Sequence, residues 1–171
     1  MISIIKATLK DAALLTFIGK KSFVEAHGRS APENDIKTYV NKNFTEKKFK
    51  EELEDLNNIF NIIYFNKEAV GYSKIIFDFE HSNIPFKNVT KLERLYLIEG
   101  FHGNKLGFKL FNFNLNTSKK HNQSGMWLYV WVENHKAINF YKKIGFKIIG
   151  KHDFKISITH ANPNHQMLLT F

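Results

Sequence analysis

An α/β fold is what the 171-residue chain predicts, and three stretches carry that reading. The first is Leu92 to Phe111, LERLYLIEGFHGNKLGFKLF. It opens as a buried strand, breaks at Glu99 to Lys105 with Gly100 and Gly103, and resumes with Leu106, Leu110 and Phe113 at helical spacing. The second is Met126 to Val132, MWLYVWV, apolar on both alternations and so covered on both faces. A strand, a helix and a second strand in sequence make a right-handed crossover with the two strands parallel. The third is the pair of apolar runs Phe60 to Phe65 and Ala69 to Phe79, joined across a short NKE turn as a β-hairpin.

The remaining elements follow in order. Ser3 to Lys6 reads as a first strand, and Thr8 with Asp11 as an acidic variant of the capping box. A helix then runs to about Ala26, with Leu14, Phe17, Ile18 and Val24 on its apolar side. HGRSAPEN, residues 27 to 34, is a loop by its Gly, Pro and Asn content. Ile36, Tyr39 and Val40 mark a short second helix. Thr45 caps a third, in which Phe49, Leu53 and Leu56 repeat at four and three. Asp78 and Glu80 close the hairpin's second strand, and His81 to Asn88 is a loop. The helix after the glycine loop continues to about Lys120, and HNQSG ends it. Asn134 is the N-cap of the next helix, Ala137, Phe140, Tyr141 and Ile144 share its inner face, and Gly145 occupies the C′ position. Phe146 to Gly150, Phe154 to Ile158 and Gln166 to Phe171 read as strands, with Pro163 marking the turn before the last. No linker or repeat divides the chain, so residues 1–171 read as a single domain.

Composition narrows the function classes. There is no cysteine, hence neither a disulfide framework nor a thiolate nucleophile. No uninterrupted apolar run reaches the roughly 18 residues of a membrane span, and no signal peptide is evident, which fits a cytoplasmic protein. The formal charge of +9 invites a polyanionic partner. Only two of the 25 basic residues are arginines, Arg29 and Arg94, and arginine is the bidentate reader of bases and phosphates. A diffuse lysine excess reads as solvated surface rather than a nucleic-acid interface.

Two features can carry chemistry. Free N–H groups at a helix start favour phosphate, so the loop before Leu106 is a candidate phosphate cradle, although any β–α junction reads the same way. Asn134 and Tyr141, seven residues apart, lie in line on one helix face about 10 Å apart. They are either a cap and a core ring or two groups pointing into the gap between the parallel strands.

Together these stretches carry a resemblance. LYLIEGFHGNKLGFKLF followed by WLYVWVENHKAINFYKKIGFKIIG resembles the two central motifs of the GNAT superfamily of acetyl-CoA-dependent N-acyltransferases. The likeness covers about residues 90 to 150, including N-x-x-A-x-x-F-Y-x-x-x-G-F at Asn134, Ala137, Phe140, Tyr141, Gly145 and Phe146. It implies an α/β (α+β) GNAT fold: a mixed, mostly antiparallel central sheet, splayed between its fourth and fifth strands and flanked by helices on both faces. It implies acetyl-CoA as co-substrate and no metal. The strand residues Leu95, Tyr96 and Leu97 would meet the pantetheine arm, the first and last through their main chain. The loop His102, Gly103, Asn104, Lys105, Leu106, Gly107 and Phe108 would cradle the pyrophosphate, and Asn134 and Tyr141 would complete the cofactor site. The loop departs from the family's Q/R-x-x-G-x-G/A pattern at His102 and Lys105, the second of which stands where a glycine is usual and restricts the backbone's approach to phosphate.

The implied reaction is direct acetyl transfer to a primary amine, with Tyr141, in the family's matching position, as general acid; Glu93, on the central strand, is a candidate general base through water or else a solvent-facing or ion-paired strand residue. The first and last parts of the chain resemble PaiA-like polyamine acetyltransferases, which makes a polyamine or another small amine the favoured acceptor. A peptide or protein amine is a further candidate. The net charge does not steer a polycation, and the candidates for a local acidic cluster that would are Asp35, Asp78, Glu80 and Glu93, each of which reads equally as a surface residue. A CoA-binding sensor without turnover and a basic nucleic-acid-binding domain are the alternatives. The sequence leaves monomer and homodimer both open.

Overall fold

The computed structural model describes residues 1–171. Alternating apolar residues build seven strands: β1 (Ile2–Lys6), β2 (Asn58–Phe65), β3 (Glu68–Ile76), β4 (Val89–Leu97), β5 (Gly125–Trp131), β6 (Lys147–Lys155) and β7 (Ala161–Thr170). Five α-helices intervene: α1 (Ala12–His27), α2 (Glu33–Asn43), α3 (Glu46–Glu54), α4 (Leu106–Lys120) and α5 (His135–Ile144). All seven strands join one sheet in the order β1-β2-β3-β4-β5-β7-β6. Only β4 and β5 pair in parallel, as the strand–helix–strand crossover requires.

Local chemistry sets most boundaries. Asp11 Oδ2 accepts from the Thr8 amide and hydroxyl (2.8 and 2.9 Å), starting a 3-10 turn that leads into α1. Thr45 Oγ1 accepts from the Lys48 amide (3.2 Å) at the start of α3. The hairpin closes through Asn66 and Lys67 alone, both at positive φ (50° and 71°), as a two-residue turn between twisted strands requires.

The helices cover both faces. Against one, α1, α2 and α3 bury Leu15, Ile18, Phe23, Ile36, Phe44 and Phe49 on Phe60, Ile62 and Tyr72. Against the other, Phe111 of α4 and Ile138 of α5 pack on Met126, Leu128 and Met167. Glu52 of α3 reaches Lys74 of β3 (2.9 Å) and Arg94 of β4 (3.0 Å), tying the helical layer to the strand beside the splay.

Several expectations are corrected. The inner face of α1 is Ala12, Leu15, Ile18, Ser22 and Phe23, whereas Phe17 and Val24 are 62% and 47% exposed. The reason is Gly19: a Cβ there would lie 2.8 Å from the Phe44 ring, so aromatic rings from the α2–α3 region seat on the helix at its smallest residue. Ser22 is buried on the same face with its hydroxyl donating to Ile18 O (2.7 Å), so the true stripe hides behind small residues. Leu56 falls beyond α3 and is exposed; Phe113 is partly exposed while Phe111 takes the core position. The hairpin's second strand stops at Ile76, and the two strands expected around Gly150 and Phe154 are one, β6. Pro163 lies inside β7 rather than in the turn. Its carbonyl accepts from Val132 N (3.0 Å) where β5 has run out, so a missing N–H breaks no ladder bond.

Candidate functional site

The site begins where β4 and β5 part. Their pairing stops at Lys91 opposite Trp127, although β4 continues to Leu97 and β5 to Trp131. A β-bulge accompanies the parting: Leu92 faces Ile75 and Arg94 faces Lys74, leaving Glu93 as the extra residue. A bulge bends its strand and increases local twist, which turns the end of β4 away from β5. Ile98 N donates to Val70 O (2.9 Å), so by strand alternation the main-chain groups of Leu95 and Leu97 face the opening. Leu97 O accepts from His102 Nε2 (3.2 Å), and Lys136 Nζ lies 3.3 Å from His102 Nδ1. A carbonyl only accepts, so the proton sits on Nε2 and Nδ1 takes the lysine's hydrogen.

Beyond β4 the chain makes the loop into α4. Lys109 is the first residue of this region whose amide finds a helical carbonyl, Lys105 O at 3.0 Å. The amides of residues 103 to 108 find no protein acceptor. Gly103 has φ +89° with open space where a Cβ would stand, and a Cβ on Gly107 would meet only Leu97 Cδ1, at 3.4 Å. Glycine at these positions is therefore not demanded by internal packing, while the free amides and absent side chains suit an anion such as a pyrophosphate. Lys105 sits at φ +58°, ψ 12°, the left-handed conformation that its glycine-like position requires. Leu106 is buried and offers only its main chain; Phe108 is about half exposed.

Across the gap, Asn134 Oδ1 accepts from Ala137 N (3.2 Å), so the capping role is real and its amide nitrogen is left for the cleft. Two turns on, Tyr141 packs its ring against Phe111, Phe140 and Phe146. Burial alone raises its pKa well above that of a free phenol. Two cavities meet here. One, of about 320 Å³, is walled by Leu97, His102, Gly107, Lys136 and Phe140; the other, of about 310 Å³, by residues of α1, β5, β6 and β7. Leu95, Tyr96, Asn134, Ala137 and Tyr141 line both.

The second cavity holds groups that the sequence did not single out. His27, from the last turn of α1, lies with Nε2 3.3 Å from the Tyr96 hydroxyl, and burial lowers its pKa to about 4. Trp131, Tyr129 and His152 line it too, brought together by β5 and the β6–β7 arch. No short motif links them, so only the sheet order could have found them. Glu93 lines this cavity with one carboxylate oxygen 2.6 Å from Lys91 Nζ. Burial acts to raise its pKa, but Lys91, Lys74 and Arg94 outweigh it and hold the carboxyl below the usual range. The other acidic candidates are elsewhere: Asp35 accepts from Ser157 Oγ, Asp78 from Gln123, and Glu80 stands in the 80–87 loop. The four make no cluster.

Comparisons with known proteins agree with this geometry. The model of the acetyltransferase (GNAT) family matches residues 22–146. An uncharacterised N-acetyltransferase of Lactobacillus delbrueckii is 27% identical over 90% of this chain and 88% of its own. The PaiA N-acetyltransferase of Thermoplasma acidophilum, solved with coenzyme A, superposes with a TM-score of 0.79 at 21% identity, covering 100% of this chain and 99% of that one. The ribosomal-protein-S18-alanine N-acetyltransferase of Escherichia coli gives 0.72 at 15% identity over 99% and 94%.

The sheet splayed after its only parallel pair and the loop of free amides at the cleft are the setting in which the family match makes the protein an acetyltransferase. The chain belongs to the GNAT acetyltransferase family. No helix is long and apolar enough to cross a membrane.

Proposed function

We propose that the protein transfers the acetyl group of acetyl-CoA to a small primary amine by direct attack, both substrates being bound at once. The observation that carries this is the meeting of the two cavities at Tyr96, Asn134 and Tyr141. One cavity reaches the loop at His102 and Gly107 and suits the cofactor; the other, lined by α1, β5, β6 and β7, suits the acceptor. With no cysteine in the chain, a thiolate acyl-enzyme has no nucleophile.

In this reading the amides of residues 103 to 108 hold the pyrophosphate, and the main chain of Leu95 and Leu97 holds the pantetheine arm. His102 must release Leu97 O for that pairing. Tyr141, kept protonated by burial, gives its hydroxyl proton to the departing sulfur. Glu93 is ionised in the resting site and serves as a transient acceptor that passes the amine's proton on through water. A carboxylate held low is a weak base towards an amine of pKa about 10.4. Deprotonation therefore precedes attack as an equilibrium, and kcat/KM rises with pH between 6 and 8.5 without an inflection from Glu93. A polyamine, as the likeness to PaiA suggests, is one amine to test.

The experiment is thiol release from acetyl-CoA with a panel of primary amines, the product identified by mass spectrometry. The proposal expects amine-dependent release and an N-acetylated product. Binding of CoA without release under any amine would make the protein a sensor instead.

A further inference from the structure

The acceptor half of the cleft has a chemistry more specific than "amine". Beside asparagines and aliphatic residues, its walls carry a set of flat rings: Phe23 from α1, Tyr129 and Trp131 from β5, and Phe154 from β6, with the His152 ring stacked on Tyr129 at 4.1 Å and 14°. Its charges are internally matched. The Lys91 ammonium lies over the rings of Phe79, Trp127 and Tyr129 (4.9, 5.1 and 5.5 Å) while paired to Glu93 Oε2 at 2.6 Å. Held by three ring faces and an ion pair, Lys91 is a fixed part of the wall. Arg94 is matched by Glu52 at 3.0 Å. Burial lowers the pKa of His27, which is neutral at working pH. Glu93 is therefore the only carboxylate lining the cavity, and Lys91 already engages one of its oxygens.

These facts separate two kinds of amine. A polyamine carries two or more ammonium groups besides the one that must be neutral to react. Each is best held by a carboxylate of its own, and this chamber offers a single one, half engaged by Lys91. An amine with a single nitrogen on a flat apolar body needs no second counter-charge. Its ring exchanges water for aromatic walls, which gain from edge and face contacts. A volume of about 310 Å³ admits a bicyclic body.

Resting on the acetyl-to-amine reading above, we propose that the acceptor is a monoamine on an aromatic or similarly flat apolar body, an arylalkylamine, rather than a polyamine. Glu93 receives its nitrogen and Trp131, with Tyr129, receives its ring. In the step itself the neutral nitrogen forms the amide bond to the acetyl carbon as the carbon–sulfur bond breaks. The nitrogen's extra proton leaves through water and the sulfur departs as CoA thiol.

Thiol release at saturating acetyl-CoA is measured with tryptamine, phenethylamine, n-butylamine and spermidine, and CoA binding is measured separately by calorimetry. Tryptamine or phenethylamine should exceed spermidine at least tenfold in kcat/KM. Trp131→Leu should lower kcat/KM for tryptamine about tenfold more than for n-butylamine, chiefly through KM, with an unchanged melting temperature. Trp131→Phe, which keeps a ring, should recover most of the loss. Preference for spermidine, or equal loss on tryptamine and n-butylamine, would overturn the proposal and leave the amine reading standing. Release with no amine at all, despite CoA binding, would overturn both.

Discussion

At the residue scale, two side chains hold unusual states that can be measured. His27 is kept neutral by burial, with its pKa lowered to about 4 against 6.5 for a free imidazole. The stability linked to it is fully present above pH 6.5. It is lost as pH falls from 6.5 towards 4, because the unfolded chain takes up the proton first. The full loss is of order 3 kcal/mol at most. Denaturation between pH 7.5 and 4.5 should show a steeper fall for the native protein than for His27→Gln; parallel curves would mean that His27 titrates freely. Lys105 is the second case. A non-glycine residue in the left-handed region costs about 1–2 kcal/mol, and Lys105 adopts it at φ +58°. The glycine conformation is thus kept with a lysine in place. Lys105→Gly should raise stability by up to about 1 kcal/mol, and by removing a charge beside the free amides should weaken CoA binding three- to tenfold. Tighter binding of CoA to the variant would show that the side chain obstructs the loop.

At the element scale, the loop between β4 and α4 divides structural need from ligand need. A Cβ on Gly107 meets nothing closer than Leu97 Cδ1 at 3.4 Å, so Gly107→Ala should fold normally. Gly107→Val should weaken CoA at least tenfold by calorimetry while its melting temperature falls by a few degrees at most. Unchanged affinity in the folded variant would remove the loop from the site. The same scale shows what the sequence could tell. The hairpin, the crossover, the caps at Thr45 and Asn134 and the C′ glycine at 145 are legible because each is local chemistry. The face of α1 is not, because Gly19 is inward for reasons that lie in Phe44 and Phe49, 25 or more residues away, and the polar Ser22 is buried beside it. Nor is the unity of β6, whose Gly150 and charged residues look like a break; Gly150 is opposite Gln166, where a Cβ would meet the Gln166 side chain at 2.9 Å. The half of the cleft proposed for the cofactor could be proposed from sequence, since β4, the loop and α5 lie within residues 89–144. The half proposed for the acceptor could not, since α1, β5, β6 and β7 are far apart in sequence and meet only in the fold.

At the scale of the whole molecule, a net charge of +9 coexists with a cavity, the one proposed for the acceptor, in which Lys91 and Arg94 are paired. The excess therefore belongs to the exterior. Lysines spread over a surface bind polyanions through counterion release, which fades steeply with salt. DNA or RNA binding should be detectable at low salt and negligible at about 0.15 M; a tight, sequence-dependent complex at that salt would require a nucleic-acid role. What unifies the molecule is the parting of β4 from β5 over Tyr141, and Tyr141→Phe tests it most directly, because the variant keeps the ring and loses only the hydroxyl. With the best amine from the panel and chemistry shown to be rate-limiting, turnover should fall about 10²-fold or more, while CoA affinity and melting temperature stay within error of the native protein. Near-full turnover in the Phe variant would contradict the account and leave Tyr141 as a packing residue.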